Sequence, residues 1–166
     1  MSEKILFSCK VNGEPVNWEI EAHKSLLRVL RDHYVYDVKC GCEEGDCGTC
    51  SVLIDGVATK SCITLAASCN GREVWTCKGL GYHDKLVRRL QDAFVECGSV
   101  QCGFCTPGMI MAATDMVRRH PEGLDEKTVR TELEGNICRC TGYHNIVKAI
   151  LAASDRMSRG EAVAAA

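Results

Sequence analysis

The chain has 166 residues, 46% of them hydrophobic, with 20 Lys and Arg against 22 Asp and Glu for a formal net charge of -2, the composition of one or two globular domains and not of a disordered segment. It has no long basic run to suggest a nucleic-acid partner, and no apolar run that approaches the ~20 residues of a membrane-spanning helix. Its thirteen cysteines, behind a Met-Ser-Glu-Lys start without the apolar stretch of a signal peptide, predict a cytoplasmic chain that uses thiols for metal or redox chemistry rather than for disulfides.

Taken in order, Ile5 to Val11 and Val16 to Ala22 are β-prone runs separated by Asn12-Gly13-Glu14-Pro15, which predicts a hairpin turning at Asn-Gly. Ser25 is a helix cap for Leu26, Leu27, Val29 and Leu30. Cys40 to Cys50 is too punctuated by glycine to be helix or strand. Ser51 to Ile54, Asp55-Gly56 and Val57 to Thr59 form a second predicted hairpin, which delivers Cys62. Val74-Trp75-Thr76 is the last predicted strand. Lys78 to His83 is Gly-rich and aperiodic, and a domain boundary is placed there. Beyond it the period is helical: Leu86 to Val95, Met109 to Val117, Val129 and Leu133 after Asp125, and Ile146 to Leu151 predict four helices, hence a bundle.

The cysteines fall into two sets. Cys42-x4-Cys47-x2-Cys50, followed by Cys62, has the spacing of plant-type [2Fe–2S] ferredoxins. Zinc sites favour two close pairs or Cys/His mixtures, so three ligands in one run with the fourth beyond a hairpin point to iron. Gly41, Gly45 and Gly48 would let the loop turn tightly and aim N–H groups at an anion. The second set is Cys102-x2-Cys105 with Cys138-x-Cys140. Each pair is followed by Thr and an amphipathic run, which predicts helix starts whose free N–H groups and dipole suit a negative cluster; Pro107 reinforces the first of them. Spacing alone suits zinc here as well as iron. A Cys-x-x-Cys dithiol fits less well, because the flanks are helical and not βαβ. Cys40, two residues before Cys42, is a competing ligand for the first set.

Together and in this order, Gly41-Cys42, Gly45 to Cys50, Val52 to Gly56, Ser61-Cys62, Gln101 to Met111, Gly135-Asn136 and Cys138 to Tyr143 resemble the small iron–sulfur subunit of the molybdenum hydroxylases, the family of xanthine dehydrogenase, aldehyde oxidase and carbon monoxide dehydrogenase. The resemblance covers nearly the whole chain. It implies an α+β fold: an N-terminal β-grasp, plant-type ferredoxin domain over residues 1–80, then a C-terminal four-helix-bundle [2Fe–2S] domain over 81–158. Residues 159–166 are read as a frayed tail. It also implies that Cys42, Cys47, Cys50 and Cys62 hold a first [2Fe–2S] cluster, and that Cys102, Cys105, Cys138 and Cys140 hold a second. It favours Cys42 over Cys40. Gln101 and Cys140 match positions that touch the pterin in relatives.

The implied role is that of a non-catalytic electron-transfer subunit. Single electrons would leave the molybdopterin centre of a large subunit, cross the two clusters and reach FAD on a medium subunit, within a higher-order hetero-oligomer. A free-standing ferredoxin and a zinc-held interaction module are the other readings. The chain shows no nucleotide-binding motif and no nucleophile–base arrangement, so no activity is expected of it alone. Its departures from the family pattern are the extra thiols Cys9, Cys40, Cys69, Cys77 and Cys97. Cys40 apart, these sit where cysteine behaves as a small apolar residue. None of the five histidines stands in a metal-ligand spacing. Glu43, Glu44 and Asp46 read as solvated loop carboxylates, and Arg139 as a charge between two ligands.

Overall fold

A computed structural model describes residues 3–158, and the tail expected to fray, 159–166, lies outside the described residues. Both predicted hairpins form. Strands β1 (Lys4–Val11) and β2 (Glu14–Glu21) pair antiparallel across Asn12 and Gly13, at φ 54° and 85°. Strands β3 (Ser51–Ile54) and β4 (Val57–Lys60) pair likewise across Asp55 and Gly56, at φ 50° and 88°. Positive φ at both central residues gives the turn the hand that matches strand twist, which is why Asn-Gly and Asp-Gly close hairpins. Strand β5 (Glu73–Trp75) runs parallel to β1 and antiparallel to β3, completing a five-stranded sheet of order β2-β1-β5-β3-β4.

One face of the sheet is covered by helix α1 (Leu26–Asp32), capped by Ser25, whose hydroxyl accepts the Arg28 N–H. Leu26, Leu27 and Leu30 join Phe7, Val11, Val52, Ile54 and Val74 in one core. The other face meets the helices. Strand β3 is buried along its whole length, and its side chains alternate: Val52 and Ile54 join the α1 core, while Leu53 enters the helical one. A strand buried on both faces reads as a continuous apolar run, as Val52-Leu53-Ile54 does.

The helical part comprises α2 (Cys77–His83), α3 (Lys85–Glu96), α4 (Thr106–Arg119), α5 (Glu126–Glu132) and α6 (His144–Ser158). Helices α3 and α5 start at Asp84 and Asp125, whose carboxylates accept N–H groups of the first turn. Leu90, Phe94, Met109, Met116, Ile146 and Ile150 fill the space between α3, α4 and α6. The Gly-rich Lys78–His83 stretch, expected to be an irregular boundary, is instead part of α2, capped by Thr76. Its glycines serve close packing: a Cβ on Gly79 would stand 2.1 Å from Asn12 Cγ, and one on Gly81 would stand 2.7 Å from Gln91 Nε2. Sequence periodicity cannot distinguish that use of glycine from helix breaking.

Sheet and helices are locked by main-chain contacts. Asn12 Oδ1 accepts the Thr76 N–H at 2.8 Å. Near the cysteine loops, the carbonyl of Gly48 accepts from buried Asn136 Nδ2 at 3.1 Å, and that of Cys47 accepts the Ile137 N–H at 2.9 Å. Gly108, in the first turn of α4, sits so close that a Cβ there would lie 2.3 Å from Gly48 O and 2.9 Å from Thr49 Cα. At the far end of α4, Arg119 and His120 both bind Glu132, and His120 also faces Glu122 at 3.3 Å.

Gly108→Ala drives a methyl into backbone that cannot step aside, so it is expected to cost about 1–3 kcal/mol of stability by overpacking, measurable as a lowered denaturation midpoint. His120 supplies a pH test. Hydrogen bonds to Glu132 and then Glu122 hold its pKa above the ordinary value. A raised folded-state pKa contributes stability that is whole below the unfolded value of about 6.5 and is lost as pH rises through the folded value. His120→Gln is therefore expected to lower the melting temperature more at about pH 5.5 than at about pH 8, and equal losses at both would show that the pairing contributes nothing.

Candidate metal centres

The first cysteine loop, between α1 and β3, turns through left-handed backbone at Glu43, Gly45 and Gly48. That winding points main-chain N–H groups inward, towards sulfur. Cys42 N–H reaches Cys47 Sγ, while the N–H groups of Cys47 and Glu44 reach Cys42 Sγ, each at 3.4 Å. These donors stabilise a thiolate, and they bring Cys42 down to about 6. Cys50 and Cys62 form a second couple. Ser61 sets it: its N–H and hydroxyl both donate to the Cys50 carbonyl, at 3.4 and 2.7 Å, so the end of the β3–β4 hairpin is tied beside Cys50. Burial first, and then the Cys50 thiol, push Cys62 up to about 12.

Cys40, the competing ligand, has a different partner: its thiol donates to Glu43 Oε1 at 3.2 Å, and Arg28 holds the same carboxylate. That hydrogen bond is the main reason its pKa is raised. Glu43 is thus engaged in holding the loop rather than free in solvent, a role its sequence context did not show.

The second set is assembled from two loops, one between α3 and α4 and one between α5 and α6. Cys105 stands at the N-cap of α4 with Pro107 inside the first turn, so that pair does sit at a helix start. Cys138 and Cys140 do not. Helix α6 begins only at His144, because Gly142 and Tyr143, at φ 64° and 68°, turn the chain first. Tyr143 then reaches back, and its hydroxyl accepts the Cys138 N–H at 2.9 Å. Cys102 and Cys140 lie with their sulfurs 3.4 Å apart, both exposed, while Cys105 and Cys138 form a buried couple behind them. Within each couple one thiol is lowered and the other raised. The Phe104 N–H and the Cys140 thiol lower Cys102, whereas Cys140, its donor, is raised. Burial opposes ionisation of Cys138, but the Thr141 hydroxyl and nearby N–H groups outweigh it and lower its pKa; burial drives Cys105 up to about 12.

Among the described residues, no three His, Cys, Asp or Glu side chains converge on a single ion position; the ligand-type sulfurs come in twos. Two thiolates on one tetrahedral metal with bonds near 2.3 Å stand about 3.8 Å apart, close to the Cys102–Cys140 separation of 3.4 Å. A two-iron cluster takes four thiolates, two on each metal. Two couples per set, with N–H groups aimed at sulfur, fit that group.

Gln101 is exposed beside Cys102, and Val100, Phe104 and Ile137 form an exposed apolar rim at 42%, 47% and 49%. Arg139 is exposed between Cys138 and Cys140. The remaining thiols behave as apolar residues: Cys9, Cys69 and Cys77 are buried, and burial raises each of them, Cys9 to about 12 and Cys77 to about 11. Cys97 is half-buried at the C-cap of α3. No histidine joins either set; His33 stacks on Trp18 at 3.9 Å and His83 meets the edge of Trp75.

Two protein families match the chain in succession. Residues 9–78 match a 2Fe-2S iron-sulfur cluster binding domain and residues 76–151 a [2Fe-2S] binding domain. The chain is 44% identical to the xanthine dehydrogenase iron-sulfur-binding subunit of Escherichia coli O157:H7, over 90% of this chain and 94% of that one. It is 40% identical to the nicotine 6-hydroxylase small subunit of Paenarthrobacter nicotinovorans, over 90% of each. Among solved structures, quinoline 2-oxidoreductase from Pseudomonas putida 86 superposes with a TM-score of 0.87 at 38% identity, over 97% of this chain and 100% of that one.

The competing thiols can be separated by substitution. Cys42→Ser is expected to abolish or severely perturb the spectrum of the first cluster, whereas Cys40→Ser leaves both cluster signals intact; the reverse pattern would move the ligand to Cys40.

Proposed function

The chain belongs to the small iron–sulfur subunits of the molybdenum hydroxylase family, and on that footing we propose that Cys42, Cys47, Cys50 and Cys62 hold its first [2Fe–2S] cluster and Cys102, Cys105, Cys138 and Cys140 its second. It is an electron-transfer subunit of an oxidoreductase complex, with two [2Fe–2S] domains and no catalysis of its own; relatives that are named as subunits set aside the free-standing ferredoxin. We further propose that its partners are a large molybdopterin subunit against the second seat and an FAD subunit towards the first, in a cytoplasmic hetero-oligomer. When bound, the two clusters supply one-electron transfer between those centres.

The seam between the seats supports this reading most directly. The carbonyl of ligand Cys47 accepts the N–H of Ile137, the residue just before ligand Cys138, at 2.9 Å. One hydrogen bond and a short run of covalent bonds therefore join a ligand of one seat to a ligand of the other. The chain's own contribution is to hold that distance: Asn136 ties to Gly48, and Gly108 lets α4 come against the same carbonyl. Gln101 and Cys140 are proposed pterin contacts, supported by their exposure beside Cys102 within the apolar rim of Val100, Phe104 and Ile137. Exposed ligands flanked by apolar side chains make a surface that a partner must cover for transfer to be efficient.

Anaerobic purification from the native host is expected to yield this chain with two larger ones. Per copy of this chain, two two-iron clusters bring four irons and four labile sulfides, with two distinct paramagnetic signals on reduction. Stoichiometric zinc in place of iron, or a chain that purifies alone with its clusters intact, would overturn the proposal.

A further inference from the structure

Each seat places one threonine hydroxyl against a ligand sulfur. In the first, Thr49 Oγ1 lies 3.3 Å from Cys47 Sγ; in the second, Thr141 Oγ1 lies 3.0 Å from Cys138 Sγ. Between a hydroxyl and a neutral thiol either group can donate. A metal-bound thiolate has no proton and can only accept, so with iron in place the hydroxyl becomes the donor.

The surroundings of both threonines suit that role. Thr141 Oγ1 already accepts the Tyr143 N–H at 3.2 Å, which leaves its own proton for sulfur. Thr49 is only 5% exposed, so water competes little for its hydroxyl and the low local dielectric strengthens the bond. Gly41 permits the contact: a Cβ there would stand 2.8 Å from both Cys47 Sγ and Thr49 Oγ1. Cys47 and Cys138 are also the two ligands that flank the Ile137 hydrogen bond between the seats. The threonines therefore touch the two ligands nearest the junction.

One-electron reduction adds negative charge to a cluster and its thiolates, and a donor aimed at a thiolate favours the more negative state. We propose that Thr49 and Thr141 set reduction potential: each raises the midpoint of the cluster in its own seat by donating its hydroxyl to Cys47 and to Cys138 respectively. This rests on the ligand assignment and relay role given above. Because the two bonds lie in separate seats, each potential can be adjusted without the other, and the driving force for the step between clusters follows from their difference.

The test is a redox titration of the intact complex followed at the two paramagnetic signals. Thr49→Val, which keeps the side-chain shape and removes the hydroxyl, is expected to shift one midpoint downward and leave the other in place; Thr141→Val is expected to shift the other signal alone. Thr→Ser at each position keeps the donor and should stay near the parent value. Val variants that retain both clusters at unchanged midpoints would overturn the proposal, as would Ser variants displaced as far as Val. If a Val variant loses its cluster while the Ser variant keeps it, Thr→Ala at that position is expected to show the downward shift, and a parent-like midpoint there counts against the idea. Absence of both signals from the unmodified complex would instead refute the relay reading itself.

Discussion

The close approach of two backbones, at Gly48 on one side and residues 135–137 on the other, is the constraint on which the molecule's organisation rests. The Gly48 carbonyl is shared by the Ser51 N–H, the Ser51 hydroxyl and Asn136 Nδ2. No side chain fits there: a Cβ on Gly48 would come within 2.4 Å of Gly135 O, and one on Gly108 within 2.3 Å of Gly48 O. A left-handed φ of 67° at Gly48 is a further reason for glycine. From this junction follow the burial of β3 on both faces, the packing of α4 against the sheet and the adjacency of the two cysteine sets.

The electrostatic design of both seats is one of converging main-chain donors. A cluster with four thiolates is an anion, and both loops meet the sulfurs with N–H groups held by tight turns. In the first loop, left-handed residues produce the convergence. In the second, it comes from the start of α4 together with the Gly142-Tyr143 reversal, where Tyr143 also secures the Cys138 amide. Glycine thus serves two purposes in this chain, bending loops round sulfur and letting elements touch.

The cysteines separate by environment. Cys9, Cys69 and Cys77 lie in cores where burial keeps them protonated and they act as small apolar side chains. Those in the two sets meet N–H donors or one another. Cys40 lies between these classes, two residues from a loop thiol but hydrogen-bonded to a carboxylate that Arg28 also holds.

Much of this was legible in the residues alone. Asn12-Gly13 and Asp55-Gly56 specified their hairpins because few other dipeptides adopt positive φ twice, and Ser25 and Asp125 mark helix starts because their side chains satisfy N–H groups that the helix leaves free. The spacing of the first cysteine set is equally local and pointed to its chemistry directly. Other features depend on contacts far apart in sequence. Gly79 and Gly81 read as helix breakers, yet they lie in α2 because Asn12 and Gln91 occupy the space a Cβ would need. Cys138 and Cys140 read as a helix start, but the reversal at Gly142 and Tyr143 sets them in a loop. The pairing of Cys102 with Cys140 and of Cys105 with Cys138 and the Cys47–Ile137 hydrogen bond had no signature in spacing, since each joins separate loops that meet only when the chain packs; the Thr49 and Thr141 contacts are local, but the side-chain orientations that make them are set by the folded loops.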